Sequence, residues 1–126
     1  MSDDLVAFLR ARLREDEATA RAVLWDGSGN SLSWGLAASA TVEVGNDEFN
    51  TDDRTVANHI VNNDPARVLA EIAAKRRIFE LHRPDSPDRP ECVTCGPRWP
   101  CRTVEALAAP YADHPDYREE WSTKTG

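Results

Sequence analysis

The sequence predicts a small α+β domain, mainly α with a small β-hairpin, that is stapled by one zinc ion. Three observations lead to this class: long stretches with apolar residues at helical spacing, one stretch rich in strand-forming residues, and three cysteines within ten residues. At 126 residues, the chain fits one domain with a modest core. We expect a single domain over residues 1–121, a zinc knuckle at about 82–101, and a frayed tail at 122–126.

A long amphipathic helix is predicted over residues 3–24. Apolar residues that recur every three or four positions share one face of a helix. Here they are Leu5, Phe8, Leu9, Leu13, Ala20, Val23 and Leu24. The opposite face is expected to be solvated and carries Arg10, Arg14, Glu15, Glu17 and Arg21. A turn at residues 26–30 ends the helix.

A β-rich segment follows at residues 31–49. Apolar residues alternate at Leu32, Trp34 and Leu36, and residues 41–44 form a second run that favours a strand. We predict two short antiparallel strands, followed by a turn at residues 45–47. The acidic stretch from Asp47 to Asp53 is interpreted as solvated turn sequence rather than a carboxylate metal site.

Two more helices are predicted before the cysteines. The first covers residues 53–62, with Val56, Ile60 and Val61 directed inward. The second starts at Pro65, where a missing N–H costs nothing, and runs to about His82.

The rest of the chain is predicted to be less regular. Residues 83–91 are rich in proline and aspartate, so we expect an exposed loop. A short helix is predicted over residues 102–109, and a last turn or helix starts near Pro115.

The cysteines form the pattern Cys92-x2-Cys95-Gly96-x4-Cys101. Zinc binds four cysteine or histidine ligands in a tetrahedron, and a Cys-x2-Cys turn directs two sulfurs to one centre. Gly96 suits such a knuckle because glycine accepts a positive φ. The spacing predicts a structural Zn²⁺ site with all three cysteines as ligands.

The fourth ligand is predicted to be a histidine. His82 ranks first because it ends the preceding helix on that helix's apolar stripe and leads directly into the knuckle. His59 is the second choice, from the helix before, and His114 is the third.

Other interpretations of the cysteines remain open. Cys92 and Cys95 have the spacing of a thioredoxin-like redox pair, and all three could be plain buried or reactive thiols. If only the cysteines bound zinc, an open position would permit a zinc- or cysteine-dependent enzyme, with Glu91 or Glu105 as a base.

The charge distribution bears on the partners. The net charge of −7 gives nucleic acid and anionic membranes little attraction overall. Residues 67–102 nevertheless carry eight basic and five acidic side chains, a net +3 that leaves −10 for the remainder. An alternative function is therefore a nucleic-acid-associated regulator that uses Lys75, Arg76, Arg77, Arg83, Arg98 and Arg102.

The chain shows no targeting or membrane-spanning pattern. Its start, Met-Ser-Asp-Asp, has the wrong charge for a signal peptide, and no apolar run approaches the ~18 residues of a spanning helix. We expect a cytoplasmic protein with reduced cysteines.

Several segments together resemble one family. They are the opening Asp-Asp-Leu-Val-Ala-Phe-Leu-Arg-Ala-Arg-Leu, His59-Ile60, Asp64-Pro-Ala-Arg-Val-Leu-Ala-Glu, Ala74-Lys-Arg-Arg-Ile, the cysteine region, and Pro110-Tyr-Ala-Asp-His-Pro-Asp-Tyr-Arg-Glu-Glu-Trp121. The family is an uncharacterised one of small actinobacterial and phage proteins, a domain of unknown function. The resemblance implies such a source and no activity. Because the chain shows no catalytic motif and a closed ligand set, we expect a zinc-stabilised interaction module with an unknown protein partner.

Overall fold

The computed structural model describes residues 2–24, 29–86, 89–96 and 98–122. Most of the predicted turn at 26–30 and nearly all of the predicted tail at 122–126 lie outside these residues. The α+β class is confirmed. The helices in the described part are α1 (Ser2–Arg21), α2 (Arg54–Asn62), α3 (Pro65–Leu81) and α4 (Arg102–Ala108). The strands are β1 (Gly35–Ala37), β2 (Thr41–Val44), β3 (Asp47–Asn50), β4 (Pro84–Ser86) and β5 (Arg89–Cys92).

The chain divides into two compact units. One unit joins Met1–Arg14 to Ala74–Gly126, and the other is Glu15–Ala73. The prediction of a single domain over 1–121 stays a prediction. No helix in the described ranges is long and apolar enough to cross a membrane.

The unit Glu15–Ala73 contains an antiparallel sheet in the order β1-β2-β3. Two of these strands were predicted, and β3 was not. The predicted turn at 45–47 is shorter, because Asp47 already pairs with Val44. All four residues of β3 are exposed, so this strand has no hydrophobic pattern and is formed by its ladder to β2.

The core of this unit is a small aliphatic cluster between the sheet and α2. Val42 and Ala57 are fully buried and Val44 nearly so. Partly buried side chains that pack on this cluster are Val23, Trp34, Leu36, Ile60 and Val61. The predicted inward position of Val56 is wrong, since Val56 is 46% exposed and the inward residue is its neighbour Ala57.

Acidic residues cap the N-termini of α2 and α3. The Asp53 carboxylate accepts hydrogen bonds from the N–H groups of Thr55 and Val56 at the start of α2. Asp64 accepts one from the N–H of Arg67 at the start of α3 and a second from the N–H of Trp34. Asp64 therefore fixes both the helix start and the segment that leads into β1.

The other unit buries the first half of α1. Leu5, Leu9 and Leu13 are at most 1% exposed, as the helical spacing predicted. Phe8 lies among aromatic rings, with centroids 5.1 Å from Trp121 and 5.9 Å from Tyr117. The predicted inward position of Leu24, beyond the end of α1, is wrong because this side chain is 46% exposed.

Two predictions for the second half of this unit need correction. Residues 83–91 are not simply an exposed loop, because β4 and β5 pair there in an antiparallel hairpin that sets Pro84 opposite Cys92. The predicted terminal element is a 3₁₀ turn at Glu119–Trp121. Tyr117 and Trp121 do lie together, with ring centroids 5.6 Å apart.

Candidate metal centre

The Cys-x2-Cys segment forms a tight turn at the end of the β4–β5 hairpin. The backbone groups of Cys92 and Gly96 exchange two hydrogen bonds, with N–O distances of 2.8 and 2.9 Å. Gly96 has a φ of 101°, the positive value that the sequence predicted for this position. The N–H of Cys95 points back to the sulfur of Cys92, 3.4 Å away. This turn therefore holds the first two sulfurs side by side.

His82 comes directly after α3. Its backbone N–H still donates to the carbonyl of Ile78 at 3.0 Å, so the end of the helix sets its position. The turn is hydrogen-bonded to the residues on either side of His82. The N–H of Val93 donates to the carbonyl of Arg83 at 2.9 Å, and the Thr94 hydroxyl donates to that of Leu81. These hydrogen bonds fix the position of the Cys-x2-Cys turn next to His82.

Cys101 occupies the N-cap position of α4. Its carbonyl accepts the N–H of Glu105 at 3.1 Å, the first bond of that helix. The Glu105 carboxylate is also 2.5 Å from the Arg98 guanidinium, and only 5% of the Glu105 side chain is exposed. This ion pair connects the segment before Cys101 to α4. Trp99, two residues before Cys101, is buried. The ion pair between Arg98 and Glu105 was not predicted from the spacing of the cysteines.

The four predicted side chains converge on one point. Their ligand atoms all lie within 4.8 Å of one another. The His82 Nδ1 is 3.5 Å from the sulfur of Cys92, 3.3 Å from that of Cys95 and 3.5 Å from that of Cys101. In a zinc tetrahedron, bonds of about 2.0 Å to nitrogen and 2.3 Å to sulfur give an N–S edge of about 3.5 Å. Three cysteines and one histidine could therefore hold a metal ion here.

The three thiols differ in exposure, and the two buried ones have pKa values shifted in opposite directions. Cys92 and Cys101 are buried, whereas Cys95 is exposed. Burial acts to raise the pKa of Cys92, but the N–H groups of Cys95 and Thr94 donate to its sulfur and bring the pKa down to about 7. At Cys101 burial dominates and raises the pKa to about 11. A bound cation would favour the thiolate at all three positions.

The other two histidines lie outside this cluster. His59 is exposed on α2, and its carbonyl accepts a hydrogen bond from the side chain of Asn63. The His114 ring lies edge-on to Phe8 and 2.6 Å from the Arg12 guanidinium. Arg12 is only 7% exposed. This part-buried contact was not predicted from the sequence.

The basic residues of the nucleic-acid hypothesis do not form one group. Arg98 is engaged by Glu105. Arg76 and Arg83 line a groove with two arginines of α1, while Lys75, on α3, is half-buried. Arg77 and Arg102 are exposed. The use of these residues in nucleic-acid binding stays a prediction.

A protein-family model matches residues 2–123, which is almost the whole chain. The chain belongs to DUF6221, a family of unknown function. The resemblance to an uncharacterised domain family is thereby confirmed. No curated protein and no solved structure shows a significant match. Because DUF6221 membership brings no activity with it, the functional proposal depends on the chemistry of the site.

Proposed function

We propose that this DUF6221 chain is a protein-interaction module whose fold is stabilised by one structural zinc ion. The observation that supports it is the Cys₃His cluster, in which Nδ1 of His82 is 3.3–3.5 Å from all three sulfurs. Thiolates and imidazole are the ligands that Zn²⁺ prefers, whereas calcium and magnesium prefer oxygen. Zinc would cross-link the end of α3, the Cys-x2-Cys turn and the start of α4.

The donor set favours a structural role over a catalytic one. Four protein ligands leave no coordination position for a water molecule. Of the two carboxylates considered as bases, Glu105 is buried against Arg98 and Glu91 is exposed. A redox role for Cys92 and Cys95 is also less favoured, because the pair would share its site with Cys101 and His82. The closed set of four ligands therefore favours an interaction module over an enzyme.

The setting of the protein is part of this proposal. The three free cysteines must ionise to bind zinc, and free thiols persist in reducing compartments, so we place the protein in the cytoplasm. The cell would be an actinobacterium, and the chain would be encoded either by that cell or by a phage that infects it. Its partner is a protein that remains to be identified. Binding to nucleic acid through the basic residues of 67–102 is the alternative.

Metal content tests the zinc site. The untagged chain is analysed by native and elemental mass spectrometry, together with the variants His82→Ala and His59→Ala. We expect one zinc per chain in the parent and in His59→Ala, and a loss or weakening of zinc in His82→Ala. The two variants are matched because each removes one imidazole, and only His82 contacts the sulfurs.

The contrary outcomes are distinct. A parent chain without zinc would reject the zinc site and direct attention to the thiols as redox or reactive groups. Loss of zinc in His59→Ala but not in His82→Ala would reject the ligand set. Repeated failure of the zinc-loaded chain to capture any protein from a matched lysate would count against the interaction module.

A further inference from the structure

A groove of about 510 Å³ lies between the first half of α1 and the second half of α3, within one compact unit. Four of its described lining residues are arginines: Arg10 and Arg14 from α1, Arg76 from α3, and Arg83, two residues after the end of α3. Arg10, Arg14 and Arg83 are exposed, and Arg76 is half-buried. Arg10 and Arg14 were predicted to lie on a solvated face of α1, and both are exposed. They line this groove together with two arginines of the basic segment.

The other described lining residues are two apolar side chains at the base and one acid. Leu13 and Phe79 are buried at 1% and 9% exposure, and Glu80 is the acidic side chain. The described lining thus carries a net charge of +3 in a chain whose net charge is −7. Because Leu13 and Phe79 are buried, the accessible apolar surface of the groove is mainly that of the aliphatic arginine stems, which lies beside the positive charge.

This arrangement of arginines does not stabilise the helix. Arg10 and Arg14 are four residues apart on α1, and like charges at this spacing destabilise a helix slightly. Elsewhere the helices match arginine with glutamate at this spacing, in the pairs Arg21–Glu17 and Arg67–Glu71. No hydrogen bond or ion pair of the Arg10, Arg14 or Arg83 side chain to another described residue is found. Their positive charge is available to a ligand.

We propose that this groove binds an acidic protein segment that carries a hydrophobic anchor residue. Arg10, Arg14 and Arg83 would each offer a planar fork of N–H donors that matches a carboxylate, and the apolar anchor would pack on the aliphatic stems of the groove arginines. The inference rests on the proposed interaction function, because it assigns that module a docking surface and a class of partner.

The charges favour an acidic peptide over nucleic acid. Duplex-binding proteins that depend on the phosphate backbone typically neutralise about 6–10 phosphates, whereas this groove offers four arginines. The remainder of the chain is acidic and would repel a long polyanion. A short acidic segment meets only the local positive charge.

The direct test is fluorescence anisotropy with a labelled, end-blocked peptide Glu-Asp-Leu-Phe-Asp-Glu, added to the zinc-loaded full chain at low salt. We expect saturable binding that the double variant Arg10→Glu/Arg14→Glu weakens by about tenfold or more. Replacing the peptide's acids by their amides, or its Leu-Phe by Ala-Ala, should each weaken binding by several-fold.

The matched control is the double variant Arg77→Glu/Arg102→Glu. It makes the same change in net charge at two exposed positions outside the groove lining. Both double variants are compared at about 0.15 M salt, where the Debye length is about 8 Å, and we expect this control to change peptide binding by less than about twofold because neither side chain lines the groove. Circular dichroism and zinc content establish that both double variants are folded.

Several results would overturn the inference. Peptide binding that is absent from the parent, or weakened equally by both double variants, would reject the groove. Tighter binding of a single-stranded DNA of about 20 nucleotides, lost in Arg10→Glu/Arg14→Glu, would make nucleic acid the occupant. A dimer that only this variant disrupts would make a second copy the occupant.

If the parent holds one zinc per chain and captures a protein partner equally well with and without the groove arginines, only the groove inference fails. If it holds no zinc, the zinc-stabilised module itself fails.

Discussion

The sheet region and the knuckle are held together in different ways. In the sheet region, Val42, Val44 and Ala57 are buried against one another, and partly buried apolar side chains surround them. In the knuckle, the buried described side chains are Cys92, Cys101 and Trp99, and the Cys-x2-Cys turn itself is largely exposed. One region has a conventional apolar core, and the other has ligands arranged around a point.

The proposed zinc site would supplement the core of this small chain. A chain of this size buries a limited share of its surface, and a metal site adds binding energy without adding apolar area. The stability of the knuckle should therefore depend on metal and thiolate chemistry, and that of the sheet should depend on side-chain volume.

The largest expected effect is that of losing the metal. Cys101→Ser removes a buried ligand, and we expect it to lower the free energy of unfolding by about 4 kcal/mol or more, since metal-binding energy is folding energy in such sites. Thermal unfolding followed by circular dichroism measures the loss. A chelator should destabilise the parent chain and have little further effect on the variant.

Val93→Ser is the control for this change. Val93 lies between the two ligands of the turn, is 42% exposed and supplies no ligand atom, so its substitution should be nearly neutral. If Cys92→Ser, Cys95→Ser and Cys101→Ser were all as stable as the parent, the distinction between the two regions would collapse.

An intermediate effect is expected in the sheet. Val42→Ala deletes apolar groups from a fully buried position and should cost about 2 kcal/mol of stability in urea unfolding. The zinc content should remain at one per chain, because the sheet core contains no ligand. Glu43→Ala, on the exposed face of the same strand, should change stability by less than about 0.5 kcal/mol. A Val42→Ala chain that lost its zinc would show that the two regions depend on each other.

The smallest effect is expected at the ion pair beside the knuckle. Glu105→Gln weakens the contact with Arg98, and we expect a cost of about 1 kcal/mol, because Arg98 is half-exposed and water replaces part of the interaction. Competition with a zinc chelator should show slightly faster metal loss. Glu91 is an exposed acid directly before Cys92, and Glu91→Gln should leave both the stability and the rate of metal loss unchanged.

Local signals in the sequence predicted most of the helices and the four candidate metal ligands. Asp64-Pro65 marks the start of α3, and the spacing of the three cysteines with His82 anticipates the side chains that the structure brings together. These features are short-range, so that a single sequence contains them. The choice between Val56 and Ala57 shows the limit, because in a nine-residue helix a one-residue error in phase turns a buried position into an exposed one.

Other features depend on contacts between residues that are far apart in the sequence, and local sequence patterns do not predict such contacts. Strand β3 is wholly exposed, and β4 and β5 are rich in proline and charge, so their pairing follows from neighbouring strands and from the turn at Cys92. The contact between Arg12 and His114 joins residues 102 positions apart. A buried arginine on a helix face is not foreseeable from hydrophobic spacing, and neither is the groove formed by arginines of two helices.

The exposure of Cys95 bears on how fast a bound ion would exchange, whereas all four ligands determine how tightly it would be held. Affinity depends on all four ligands, whereas exchange starts wherever a competing thiol or chelator can first reach the ion. With Cys92 and Cys101 buried, that route is the Cys95 side. The same sulfur is also the first that an oxidant would meet. A zinc ion in this site would therefore combine strong binding with a residence time set by one solvent-facing ligand.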